Sequence, residues 1–168
     1  PQPCASGSCA GGPATWVTSG TASASVVGNR LQIDQRSQNA ILNWRSFNVG
    51  PDGSVEFRQP GSTSVALNRI FQQDPSRILG SLSANGQVYL INTNGIVFGD
   101  GARVNVGGLV ASSLDITQQA VDSGIARAIQ SRAAAFAARP GADGEPAAGA
   151  VSVERGATID SAGGQVLL

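Results

Sequence analysis

Short apolar runs alternate with turn dipeptides along most of the chain. The runs that read as strands are Trp16–Val17, Leu31–Ile33, Ala40–Trp44, Ser54–Phe57, Val65–Ile70, Val88–Ile91, Ile96–Phe98, Val104–Val106 and Leu109–Ala111. Between them stand Gly28-Asn29, Asp52-Gly53, Asn85-Gly86, Asn94-Gly95, Asp100-Gly101 and Gly107-Gly108. Such pairs accept positive φ or bond their own backbone, so each marks a change of chain direction. From Gly86 to Gly108 they recur roughly every six to nine residues, a spacing that fits an all-β sandwich, barrel or solenoid.

The content of the strands favours the solenoid. Val88-Tyr89-Leu90-Ile91 and Ile96-Val97-Phe98 are apolar without alternation, as strands covered on both faces are. Arg103-Val104-Asn105-Val106 alternates, with Val104 and Val106 facing a core and Asn105 facing out. Val151–Val153, Thr158-Ile159 and Gln165–Leu168 repeat the rhythm of a short apolar run and a glycine corner. One coil of a parallel β-helix, touching only its neighbours, has this pattern. The open edge of Gln165–Leu168 reads as an unfinished coil.

Thr117 to Ala138 departs from the pattern. Val121, Ile125, Ile129 and Phe136 lie near helical spacing in an Ala-rich stretch, with Thr117 as a cap and Pro140-Gly141 as a stop. An inserted α-helix over 117–138 is expected, covering a face or edge of the solenoid in preference to binding a partner, with 139–150 as a loop or short linker. The remaining domain organisation is a flexible segment over 1–15 and one β-domain over 16–168.

Composition narrows the chemistry. Of 168 residues only 13% are charged, against about 25% in ordinary domains. The 11 basic residues, all arginine, balance 11 acidic ones, leaving no clustered basic face for nucleic acid. There is no histidine, which removes Ser-His and Cys-His pairs, HExxH zinc sites and imidazole haem ligation. There is no lysine either, so Schiff-base chemistry is excluded. No cofactor and no metal are expected. A β-helix glycosidase or lyase would need paired carboxylates about 5–10 Å apart. Asp34, Asp52, Glu56, Asp100, Asp115 and Asp160 form no compact acidic motif, so no enzyme is expected.

Cys4 and Cys9 lie in a Pro/Gly/Ser/Ala stretch. They are either free thiols or, as the spacing favours, a disulfide of an oxidising compartment. Closing so short a ring constrains the unfolded chain by about 2 kcal/mol. The chain opens on Pro1 without a signal-peptide pattern, which reads as a processed or trimmed form. No apolar run is long enough to span a bilayer, and no stable membrane insertion is expected.

The run Ala84-Asn85-Gly86-Gln87-Val88-Tyr89-Leu90-Ile91-Asn92-Thr93-Asn94-Gly95-Ile96-Val97-Phe98-Gly99 closely resembles the signature of the haemagglutination-activity, or two-partner-secretion, domain. It continues through Ala102 to Ile116 in the same manner. Upstream, Asn43-Trp44-Arg45-Ser46-Phe47-Asn48-Val49-Gly50 is similar to the family's Trp-x-x-Phe-Asn segment. Val65–Ile70 followed by Ser76–Gly80 resembles its next element. The family's tetrapeptide is Asn-Pro-Asn-Gly, and Thr93 stands here in the proline place. Threonine adopts the same φ at some entropic cost.

The resemblance implies a right-handed parallel β-helix with extra-helical β elements over its amino end. It implies a secretion signal at the start of a large exoprotein, read in the periplasm by POTRA domains of an outer-membrane β-barrel transporter. The domain then emerges at the cell surface, with the exoprotein continuing beyond it. The implied recognition or folding motif is Asn92, Thr93, Asn94 and Gly95, joined by Asn43, Asn48 and Asn68 bonding backbone at coil corners. The turn is expected to be structural first and a direct contact second. The rival reading is an adhesin or carbohydrate-binding module, for which two tryptophans and one tyrosine are few stacking platforms.

Overall fold

The computed structural model describes residues 1–9, 11–117, 127, 136–138 and 149–168. Three elements precede the coils: β1 (Gln2–Pro3), β2 (Val17–Ser19) and β3 (Ala22–Val27). A partial coil follows, made of β4 (Arg30–Gln35), β5 (Asn39–Ser46) and a bridge at Val49. The next holds β6 (Ser54–Arg58), β7 (Val65–Ile70) and β8 (Ser76–Ile78). Another holds β9 (Ser81–Ala84), β10 (Gln87–Asn92) and β11 (Ile96–Phe98). Then come β12 (Arg103–Asn105), β13 (Gly108–Ser112), a side excursion with β14 (Asp115–Ile116) and β15 (Phe136–Ala137), and β16 (Val151–Val153). A last partial coil adds β17 (Thr158–Asp160) and β18 (Val166–Leu167).

Each strand pairs in parallel with its counterparts one coil above and one below. β5, β7, β10, β13 and β18 form one face; β4, β6, β9, β12 and β17 the second; β8, β11 and β16 the third. The result is a three-faced parallel β-solenoid. The register stacks like on like: Leu31, Val55, Leu82, Val104 and Ile159 form one column, and Ala40, Ala66, Val88, Leu109 and Val166 another. These columns are the interior, with Trp44, Phe47, Phe57 and Phe98 fully buried among them.

Antiparallel strands cover the first coil. β1 and β2 both pair with β5, and β3 pairs with β4. These elements occupy the open edges of the first coil, which would otherwise present unpaired backbone groups. Within the segment 1–15, β1 lies on β5, and the Cys4 N–H donates to the Asn43 carbonyl at 2.9 Å. Main-chain pairing of this kind needs no apolar pattern, so no periodicity announced it.

The face built on β5, β7, β10 and β13 is covered on both sides. Ile41, Val65, Leu67, Tyr89, Ile91, Val110 and Ile116 form a second apolar cluster on its outer surface, with Phe136 against it. This explains the unbroken apolar run of β10. Fully burying one such side chain contributes about 1.5–3 kcal/mol. β11 differs, since Val97 is only half-buried between buried Ile96 and Phe98. Only the inner face of that strand is dry.

The expected helix over 117–138 lies mostly outside the described residues. Its far end departs from the expectation: Phe136–Ala137 is a strand, antiparallel to Asp115–Ile116. Ile116 and Phe136 are cross-strand partners there, and covering the outer apolar cluster outweighs the helix propensity of the alanines. Arg69 pins this excursion, with its guanidinium 3.3 Å from Asp115 and donating to the Ile116 carbonyl at 2.8 Å.

Candidate functional site

The turn after β10 is a closed hydrogen-bonding unit. The Gly95 N–H donates to the Asn92 carbonyl at 2.9 Å, closing a β-turn with Thr93 and Asn94 at its centre. Neither central residue has positive φ, whereas Gly95 has φ +108°, a region that favours glycine. A Cβ on Gly95 would also stand 2.6 Å from the Ala150 carbonyl oxygen, so the position is doubly restricted.

Asn92 is completely buried, and its amide is spent on the backbone around it. Its Oδ1 accepts from the Asn94 N–H at 2.9 Å, while Nδ2 donates to the Asp74 carbonyl at 3.1 Å and Ser76 Oγ at 3.0 Å. One side chain thus fastens its own turn to the corresponding corner one coil back. Asn94, half buried, donates to the Gln72 carbonyl at 2.8 Å. Thr93 is buried, and its carbonyl accepts from Gly149 at 3.0 Å, tying the turn to the following coil.

The other three asparagines do not share one place. Asn48 is at the corresponding corner and exposed, with Oδ1 accepting from the Arg77 N–H at 2.8 Å. Asn43 and Asn68 depart from the coil corners expected for them, because both lie inside strands, β5 and β7. Asn68 points into the core between Leu42 and Leu90, with no exposure. Its Oδ1 accepts from Trp44 Nε1 at 2.8 Å, and its Nδ2 donates to the carbonyls of Ala66 and Tyr89 at 3.0 and 3.2 Å. A buried indole N–H needs an acceptor, and Asn68 supplies it. Asn43 Nδ2 reaches Thr18 Oγ1 at 3.0 Å and the Trp16 carbonyl at 3.1 Å, binding β2 to the first coil.

Several buried polar groups had no signal in the sequence. Gln59 Nε2 donates to Gln35 Oε1 at 3.3 Å and to the Ser64 and Gln87 carbonyls at 3.1 and 3.2 Å. It therefore links three successive coils at the corner between the second and first faces. Asn85 both accepts from and donates to the backbone of Gln59 at 2.7 Å, imitating a strand partner. At the same corner the Gly107 N–H donates to the Gly86 carbonyl at 2.8 Å, and a Cβ on Gly107 would meet that oxygen at 2.8 Å. Backbone lies on backbone there, so glycine is required for space.

An open groove of about 590 Å³ lies on the corner of the two preceding coils, lined by Ser46, Asn48, Gln72, Asp74 and Arg77, among others, and not by the Asn92–Gly95 turn. Among the described residues no group of histidine, cysteine or carboxylates could hold a metal ion. Of the carboxylates considered for catalysis, Glu56 pairs with Arg58 at 3.1 Å and Arg30 at 3.5 Å, and Asp115 with Arg69. Tyr89 has its hydroxyl pKa raised by burial and donates to Gln87 Oε1 at 3.0 Å.

The family model described as the TPS secretion domain matches residues 14–168. The chain belongs to the TPS secretion domain family. By its description the family is one of secretion domains. A heme/hemopexin-binding protein of Haemophilus influenzae is 44% identical over 100 residues, covering 60% of this chain and 11% of the relative. A second protein of that name and species is 42% identical over 88 residues, covering 52% and 10%. The chain thus spans about a tenth of the length of these relatives. The crystal structure of the HMW1 secretion domain from Haemophilus influenzae aligns with a TM-score of 0.61 and 39% identity. That alignment covers 64% of this chain and 28% of the other. The TPS fold and the parallel solenoid described above therefore agree.

Proposed function

We propose that this chain targets an exoprotein to a cognate outer-membrane transporter and then serves as the template on which further coils fold at the cell surface. The observation that carries the reading is the TPS secretion-domain match over residues 14–168, on a solenoid whose coils stack in parallel register. Each added coil buries apolar surface on the last, so folding outside the membrane biases the chain outward without ATP.

The partner in this reading is the set of periplasmic POTRA domains of the transporter, met during transit through the periplasm. The Asn92–Gly95 turn acts through the fold, because its buried amide groups are already committed. Asn43, Asn48 and Asn68 act in the same way, fastening cap, corner and core. Haem or hemopexin binding belongs to the relatives by their names; in this chain's exoprotein any such capture lies beyond the secretion domain. A titration of the chain against the isolated POTRA repeats tests the proposal. Saturable binding, by the folded form or by chain freshly diluted from urea, is expected. Absence of binding in both forms would overturn it.

A further inference from the structure

We propose that the Cys4–Cys9 disulfide is a redox latch: it locks the capping strand β1 onto the first coil, and closing buries both sulfurs against reopening. The inference is independent of which transporter domain is bound.

Geometry carries it. The outer edge of β5 is shared by two caps, β2 opposite Ile41 and Leu42 and β1 opposite Trp44 and Ser46. They meet at Asn43. Its N–H donates to the Trp16 carbonyl at 2.6 Å, and its carbonyl accepts from Cys4 at 2.9 Å. The disulfide ring thus begins at the residue that joins the two caps. Across the ring, the Ser8 N–H donates to the Ala5 carbonyl at 2.9 Å, and the Gly12 N–H to the Cys9 carbonyl at 3.0 Å. Gly12 rests on the Phe71 ring, where a Cβ would come within 2.9 Å. The ring is therefore fixed at both ends, to β5 and to the corner after β7.

Cys4 and Cys9 are 3% and 8% exposed, with Cα atoms 5.6 Å apart. Thiol–disulfide exchange requires an attacking thiolate to reach a sulfur, so oxidation must precede docking of the ring. The oxidant is a protein or small-molecule disulfide of an oxidising compartment. One cysteine thiolate attacks it, forming a mixed disulfide and releasing one oxidant thiolate. The second cysteine, deprotonated, attacks that sulfur and expels the other thiolate. Two electrons pass to the oxidant, which leaves as a dithiol. Until this happens β1 has only two residues of pairing to hold it, and the β5 edge over Trp44 is open to any extended strand.

Hydrogen exchange on the whole chain, oxidised wild type against the Cys4→Ser/Cys9→Ser double variant, tests the latch. The amide at position 4 should exchange about 30-fold faster in the variant, the factor expected for closing so short a ring. The amides of Tyr89 and Leu90 in β10 should be unchanged. In parallel, dithiothreitol should reduce the folded wild type at least tenfold more slowly than the urea-unfolded chain. Equal protection at position 4 would overturn the proposal, as would reduction of the folded form at the unfolded rate. Loss of β10 protection in the variant would also overturn it, by making the bond a staple of the whole fold.

Discussion

Replacing Asn92 by alanine separates a structural turn from a contact residue. The substitution removes the acceptor of the Asn94 N–H at 2.9 Å and the donor to the Asp74 carbonyl at 3.1 Å and Ser76 Oγ at 3.0 Å. Asn92 is fully buried, so water does not replace these partners without entering the core. Each buried group left unpaired costs about 1–3 kcal/mol, which places Asn92→Ala at about 2–4 kcal/mol of lost stability after partial relaxation. Asn94→Ala loses a single bond from a half-buried residue and should cost about 0.5–1.5 kcal/mol. Urea unfolding followed by tryptophan fluorescence reads both, with an unchanged slope showing that the folded states remain compact. The same two variants, exported as fusions, should fail in the order of their stability losses. If Asn92→Ala shifted stability by less than about 0.5 kcal/mol yet abolished export, the turn would be a direct contact and the structural argument would be wrong.

Tyr89 makes stability pH-dependent at the alkaline end. Burial raises its folded pKa above the ordinary 10.0, so its contribution is complete below pH 10 and is lost as pH rises through the folded value. Unfolding midpoints measured from pH 8 upward should fall above 10 in wild type, and Tyr89→Phe should remove that part of the decline; an identical decline would refute the assignment. Arg69→Ala cuts the tie to Asp115 and Ile116 at a partly exposed site and should lower the melting temperature by about 2–4 °C, for a cost near 1 kcal/mol. No shift in a thermal melt would show that the apolar contacts of Ile116 alone hold the excursion. Thr93→Pro restores the ring that pre-sets φ at the second turn position and should stabilise by about 0.4–1 kcal/mol in the urea assay. Destabilisation would mean that the Thr93 N–H or its φ is already committed otherwise.

What the sequence shows of this fold follows from which faces are buried. β10 was legible as a doubly covered strand because Val88 and Leu90 face the core while Tyr89 and Ile91 face the outer cluster. Val104 and Val106 were legible for the opposite reason: their strand is wet on one side. β3 and β9, Ala-Ser-Ala-Ser-Val-Val and Ser-Leu-Ser-Ala, carry no buried apolar run to mark them: neighbouring strands supply their ladders, and Val26 and Val27 of β3 are exposed. The far end of the Ala-rich stretch read as helix by spacing, yet Phe136 is drawn to Ile116 by tertiary burial. The Asn92–Gly95 turn is legible as a turn, and with Thr93 in the proline place it closes on the Gly95 N–H to Asn92 carbonyl bond. The inward side chain of Asn68 and the Gln59 cross-link were not visible, because polar residues carry no period and their value arises only from neighbours such as Trp44 and Gln35.

Export of a reporter passenger joined after Leu168, in cells with and without the cognate outer-membrane transporter, tests the central claim most directly. The account predicts passenger outside the cell only when both the chain and its transporter are present, and retention in the periplasm when either is missing. Equal export without the transporter, or with a passenger lacking the chain, would contradict it.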